Sequence, residues 1–169
     1  MEGGPYVKSR ARFGPAMRVE RHTGSRAALR SLFELAEDSP EQLDAYLDAG
    51  RVLVAVEGDR VVGHVQIVVT DRSDEAEIKS MAVLPSHQGR GIGRALVAAA
   101  VDLARDEGRS TLVVATAAAD TGNLRFYQRL AFRMRSIERD AFTEQTGYAP
   151  GLQVEGVPLR DRVWLDRPL

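Results

Sequence analysis

Three strand patterns run in succession through residues 51–83, and only after them does the chain alternate strand, helix and strand. Residues 51–57 are β-branched and alternating, Gly58-Asp59 supplies a turn, and residues 61–70 return, so these two segments form an antiparallel hairpin. Residues 75–83 add a third strand. The clearest helix follows at 91–107, with Ile92, Leu96, Ala100, Leu103 and Ala104 on one side and Gly108 ending it. A buried-type strand at 111–116 completes a β-α-β unit. An antiparallel run that feeds a β-α-β unit makes a mixed sheet of the α/β class with helices on it, not a doubly wound parallel sheet.

The flanks fit the same plan. Residues 17–22 read as a short first strand. Thr23-Gly24-Ser25 offers helix caps before Leu29, Leu32, Phe33 and Ala36 at helical spacing. Ser39-Pro40-Glu41-Gln42 is a second start signal, with Ser at the cap, Pro at the first helical position and Gln in the capping-box place. Leu43, Tyr46 and Leu47 give that helix an apolar side, and Gly50 stops it. A short helix is expected at 123–130, then strands at 132–140 and 161–165, joined by a long loop containing Gly and Pro.

The length of 169 residues suits one domain, placed at 17–169, after a Gly- and Arg-rich tail at 1–16 that has no apolar signal region. Lys and Arg number 23 against 24 Asp and Glu, which lacks the basic excess of a nucleic-acid binder. No apolar run approaches a membrane span, so no membrane partner is expected. The chain has no cysteine, which removes disulfides, thiolate metal sites and a cysteinyl acyl intermediate; no metal is expected, and a reducing cytoplasm is the compartment this composition fits.

The chemistry concentrates in Val83-Leu84-Pro85-Ser86-His87-Gln88-Gly89-Arg90-Gly91-Ile92-Gly93-Arg94, a strand end, a Gly-rich turn and a helix start. Glycines let the backbone turn tightly and approach a ligand closely. The first helical turn leaves N–H groups unpaired at the positive end of the helix dipole, which suits phosphate. There is no Gly-Lys-Ser/Thr, so this is not a Walker A loop, and Arg94-Ala95-Leu96 after Gly93 breaks the dinucleotide fingerprint. On spacing alone a generic Gly-rich turn is an equal reading.

The stretch from Gln88 to Gly93 resembles the Q/R-x-x-G-x-G/A signature of the GNAT (Gcn5-related N-acetyltransferase) superfamily, and Met81-Ala82-Val83-Leu84-Pro85 before it resembles that family's fourth strand. Asn123 through Phe132 is similar to a second family segment, with Arg125 near the usual Ala and Ala131 replacing the Gly before Phe132. The resemblance implies a mostly antiparallel central sheet of about seven strands flanked by about four helices, with acetyl-CoA as co-substrate. It assigns the pyrophosphate to Gln88, Gly89, Arg90, Gly91, Ile92, Gly93 and Arg94, chiefly through main-chain N–H groups. Arg90 and Arg94 add charge pairing or are solvated arginines at a helix start.

By the same resemblance Met81, Ala82 and Val83 pair with the pantetheine arm, and a bulge aims a backbone N–H at the thioester carbonyl. A gap between this strand and 111–116 receives the arm. Asn123 binds pantetheine or caps its helix. Tyr127 is the general acid for the departing thiolate, or a packing tyrosine. Glu77 is the general base, acting through water, or an ion-pair partner of Lys79; Glu77, Lys79 and Met81 share a face by parity unless the bulge breaks it. His87 is a second, lower-ranked base, and His64 and His22 read as structural.

The acceptor is a primary amine on a small molecule or peptide, and its identity is not written in the sequence. Six acids between Ser31 and Gly50 (Glu34, Glu37, Asp38, Glu41, Asp44 and Asp48) suggest a cationic acceptor or a solvated face. Arg133, Arg135, Arg139, Arg160 and Arg162 point instead to a carboxylate on the acceptor. The second wall is expected from the 141–159 loop, with Tyr148, Pro150 and Pro158. A homodimer through the C-terminal strands is the protein partner the resemblance suggests. A non-catalytic acetyl-CoA sensor of the same fold is the alternative function.

Overall fold

The computed structural model describes residues 17–169; the expected tail at 1–16 lies outside the described residues. β1 (Met17–Arg21) leads through a 3-10 turn into α1 (Arg30–Phe33) and α2 (Pro40–Tyr46), then β2 (Arg51–Glu57), β3 (Arg60–Val69) and β4 (Glu75–Val83). α3 (Ile92–Asp106), β5 (Thr111–Ala117), α4 (Thr121–Arg129) and β6 (Arg133–Glu138) follow. A two-residue hairpin, β7 (Gln153–Val154) and β8 (Val157–Pro158), precedes β9 (Arg162–Pro168). This hairpin lies inside the segment expected to be loop, where arms of two residues carry no readable period.

The main sheet has seven strands in the order β1-β2-β3-β4-β5-β9-β6. Every neighbouring pair is antiparallel except β4 with β5, which the α3 crossover makes parallel. The expected mixed sheet with four helices is therefore observed.

Alternation along the strands divides the core between two faces. Leu53 and Ala55 of β2, Val65 and Ile67 of β3, and Ile78 of β4 pack against Ile92, Leu96 and Ala100 of α3. Val52, Val54 and Val56 point the other way, onto Leu29, Leu32, Phe33 and Leu43 of the α1–α2 side. Each fully buried leucine or isoleucine contributes about 1.5–3 kcal/mol relative to exposure. β3 places two polar groups on the α1–α2 face. His64 stacks on Phe33 with ring centroids 4.0 Å apart and bonds Ser80 Oγ at 2.9 Å. Gln66 donates to the carbonyls of Tyr46 and Ala49, both at 2.8 Å. Burial pushes the His64 imidazole down to about 3, so it is neutral and structural, as expected.

Local signals place the helices. Ser25 caps the first turn and Ser39 caps α2, its Oγ accepting the Gln42 N–H at 3.2 Å. The second half of the expected capping box is not made. Gln42 instead donates its side-chain amide to the Thr146 carbonyl at 2.9 Å, tying α2 to the C-terminal loop. A long-range acceptor wins over the local one. Among the described residues no helix is long and apolar enough to cross a membrane.

Candidate active site

β4 and β5 share a hydrogen-bonded register only from Glu75↔Thr111 to Ile78↔Val114. Beyond that point β5 continues against β9 as far as Ala117, while β4 continues against β3 as far as Val83. The inner edges of Lys79–Val83 and Ala115–Ala117 are thus left facing a cleft. Gln66 opposes Ser80 and Ile67 opposes Ile78, so Lys79 is the extra residue of a β-bulge. The bulge breaks the side-chain parity. Met81 pairs with Val65 and joins the α3-side core, whereas Lys79 swings over the Tyr46 ring of α2. Glu77, Lys79 and Met81 do not share one face.

The cleft opens into a cavity of about 950 Å³. Its lining brings together Glu77, Met81, Ala82, Val83, Gln88, Gly89, Gly91, Ile92, Gly93, Arg94, Asn123 and Tyr127, which are all but one of the residues that the resemblance assigned to acetyl-CoA binding and catalysis. The exception is Arg90. Its guanidinium pairs with Glu57 at the end of β2, and His87 Nε2 meets the same carboxylate at 3.1 Å. His87 Nδ1 lies 2.8 Å from Ser86 Oγ, so both ring nitrogens are engaged and the imidazole is not a free base. Arg94 is the turn arginine that faces the cavity.

The turn itself is shaped for an anion. Gly89 and Gly91 take φ of 73° and 81°, the left-handed region that glycine enters without penalty. Ala95 is the first residue of α3 whose N–H finds a backbone acceptor, Gly91 at 3.1 Å. Among the described residues the N–H groups of 89–94 are not bonded, and they stand at the positive end of a 15-residue helix. A Cβ on Gly93 would come within 3.2 Å of the Phe126 ring, so α3 and α4 approach closely there. This run of free donors fits a pyrophosphate.

Tyr127 stands at the other side of the cleft on α4. Its ring is buried between Phe126 and Phe132, at 5.1 and 5.5 Å in edge-to-face contact. Burial, with Asp120 adding to it, pushes the phenol well above its ordinary value, so it stays protonated, and among the described residues its hydroxyl has no hydrogen-bond partner. The cap of α4 is Asp120, not Asn123. Asn123 gives both its backbone N–H and its Nδ2 to Asp120, each at 2.8 Å, which leaves its side-chain carbonyl as the available group. Ala131 takes φ of 67°, which accounts for the glycine that the resembling motif carries there.

Glu77 is largely buried, with Oε1 3.6 Å from Lys79 Nζ. Desolvation raises its carboxyl above the ordinary range, against the opposing pull of Lys79 and Arg162. Both readings of Glu77 thus meet in one place, since a carboxylate can be paired and still face the cavity. The far end of the cavity is walled by Glu37 and Asp38 of the α1–α2 link, Tyr46, Phe142 and Tyr148 of the C-terminal loop, and Arg162 and Trp164 of β9. Of the six acids only Glu37 and Asp38 reach it, and of the five arginines only Arg162. Glu34 and Asp44 pair with Arg30, and Arg135 pairs with Glu75. Sequence reading missed Trp164. Its signal was present in the alternation of β9, where Val163 and Leu165 enter the core and Arg162 and Trp164 face the cleft.

The splayed parallel pair and the unbonded N–H groups at the start of α3 thus meet in one cleft. The sequence profile described as the acetyltransferase (GNAT) family matches residues 22–132. An uncharacterized N-acetyltransferase of Bacillus subtilis, YvbK, is 31% identical over 152 residues, 89% of this chain and 96% of that protein. An IAA acetyltransferase from Bacillus cereus is 32% identical over 91% of this chain and 100% of its own, with a TM-score of 0.82. A GNAT-family acetyltransferase from Elizabethkingia anophelis with acetyl-CoA bound is 26% identical over 92% of this chain and 99% of its own, with a TM-score of 0.83. The chain belongs to the GNAT acetyltransferase family and is an acetyl-CoA-dependent acyltransferase.

Proposed function

We propose that this protein moves the acetyl group of acetyl-CoA to a primary amine by direct attack while both substrates are bound. The observation that carries the reading is the cleft between β4 and β5. It runs from the free N–H groups of 89–94, past the unpaired edge of β4, to Tyr127 and Glu77. The first of these would bind the pyrophosphate. Met81, Ala82, Val83 and the Asn123 carbonyl would hold the pantetheine arm. Acetyl-CoA supplies the activated acetyl group.

Glu77, directly or through an ordered water, takes the proton of the acceptor ammonium. The amine nitrogen then bonds to the acetyl carbon, the carbon–sulfur bond breaks, and the nitrogen sheds its second proton, which restores the one Tyr127 gives up. Tyr127 gives its proton or a hydrogen bond to the leaving sulfur, and the raised value of a buried phenol keeps that proton in place until it is needed. Much of the rate comes from holding amine and thioester at contact distance. With no cysteine in the chain, an enzyme thioester has no place in the sequence of steps. The acceptor sits between the α1–α2 link and the C-terminal loop.

Calorimetric titration with acetyl-CoA, run beside thiol release over a panel of amines, tests this. Micromolar binding with amine-dependent release is expected. Absence of acetyl-CoA binding overturns the site, and tight binding without release on any amine overturns the transfer step.

A further inference from the structure

The acceptor end of the cavity holds charges of both signs, and the way they pair decides which is left for a ligand. Lys79 is matched by Glu77 at 3.6 Å and lies over the Tyr46 ring, 5.3 Å from its centroid. Arg162 donates to Glu138 at 3.2 Å and covers the Phe142 ring at 5.0 Å. Each cation thus has a carboxylate and an aromatic face of this chain's own.

Glu37 is different. Its Oε1 accepts the Ser39 N–H at 3.0 Å and its Oε2 accepts the Tyr46 hydroxyl at 3.4 Å. Tyr148, from the C-terminal loop, stands beside the same carboxylate. Among the described residues no lysine, arginine or histidine pairs with it. Neutral donors fix a carboxylate's direction without cancelling its charge, and they leave lone pairs for a ligand. The mounting is firm. Ser39 is fully buried as the cap of α2, and Gln42 fastens α2 to the loop opposite. Leu35, Phe142, Leu159 and Trp164 supply apolar surface in the same cavity.

We infer that Glu37 anchors a second, non-reacting cation of the acceptor, so that the preferred acceptors are diamine-type molecules: a reacting amine and a persistent cation on an apolar linker. The inference rests on the acetyl-transfer reading of the cavity. The chemistry favours a second cation as the partner of Glu37. The reacting ammonium must shed its proton before attack, and an anion that held only that group would stabilise its unreactive form. An anion facing a cation that keeps its charge throughout gains the same contact without opposing the reaction. Glu77 serves the first amine and Glu37 the second. Arg162, which already donates to Glu138, is the weaker anchor for an acceptor carboxylate.

The test is a set of matched acceptors assayed by thiol release: α,ω-diaminoalkanes of three to six carbons, n-alkylamines of the same length, and the corresponding ω-amino acids. A charge-assisted contact predicts diamines above alkylamines by roughly 10- to 100-fold in kcat/KM, with ω-amino acids lowest. Glu37→Gln should remove that preference by raising KM for the diamine, with acetyl-CoA affinity by calorimetry and the melting temperature reporting an intact fold. Three results would each overturn the inference: ω-amino acids equal to or better than diamines, a diamine preference that survives Glu37→Gln, or no diamine turnover by protein that acetylates another amine. All three leave acetyl transfer standing. Loss of acetyl-CoA binding, or no release on any amine, defeats the transfer reading itself and this inference with it.

Discussion

Tyr127→Phe separates chemistry from packing. The substitution keeps the ring that contacts Phe126 and Phe132 and deletes only the hydroxyl. Among the described residues no hydrogen-bonding group acts on that hydroxyl, so its loss leaves none of their donors or acceptors stranded. Stability should therefore change by no more than about 0.5 kcal/mol. The rate should not escape so lightly. A positioned proton donor contributes about 10²- to 10⁴-fold, equivalent to roughly 3–5 kcal/mol of barrier. The predicted variant melts with the wild type, binds acetyl-CoA within threefold of it, and loses at least about 100-fold in kcat. Thiol release reads this cleanly, because a chain without cysteine contributes no background to a thiol reagent. A kcat within threefold of wild type would refute the assignment of Tyr127 to the leaving sulfur. A large drop in melting temperature would refute the claim that its hydroxyl has no structural partner.

Two further outcomes follow from the same geometry. The fold raises the Glu77 pKa, so ionisation there opposes folding; the stability this group contributes is full below its unfolded value and is lost as pH rises through the folded one. Glu77→Gln should accordingly melt no lower than wild type at neutral pH while losing about 10²-fold or more in kcat/KM, and the acid limb of the wild-type rate profile should lie above the ordinary carboxylate range; a stable, fully active variant would remove Glu77 as base. At Ala131 the left-handed backbone costs an L-residue roughly 1–2 kcal/mol, so Ala131→Gly should raise stability in urea by about 1 kcal/mol after the extra unfolded-state entropy of glycine, and a destabilised variant would contradict that reading.

Much of this protein could be read before its structure was known, because its strongest signals are local. The hairpin turn at Gly58-Asp59 and the alternation of β2, β3 and β4 fixed the antiparallel half of the sheet. A Gly-rich turn at a helix start was expected at 88–94, and the turn is found there, with Gly89 and Gly91 in the left-handed region. What escaped was set by tertiary partners. Nothing in the sequence places Glu57 beside Arg90 and His87, so the withdrawal of that arginine from the cavity was invisible. The one-residue bulge at Lys79 turns Met81 to the opposite face from Glu77, and a bulge leaves no mark in a period of two. The charges of the acceptor end could be counted but not paired. Their meaning came only from seeing Arg162 on Glu138, Lys79 on Glu77 and Glu37 on neutral donors.

The central claim is that acetyl-CoA enters the β4–β5 cleft with its pyrophosphate on the start of α3. An amide chemical-shift titration of ¹⁵N-labelled protein with CoA tests it without altering a residue. The account predicts that the amide signals of Gly89, Gly91, Ile92, Gly93 and Arg94 move together and furthest, with Met81, Ala82, Val83 and Asn123 following. Binding that shifts another part of the sheet and leaves residues 89–94 unmoved would contradict it.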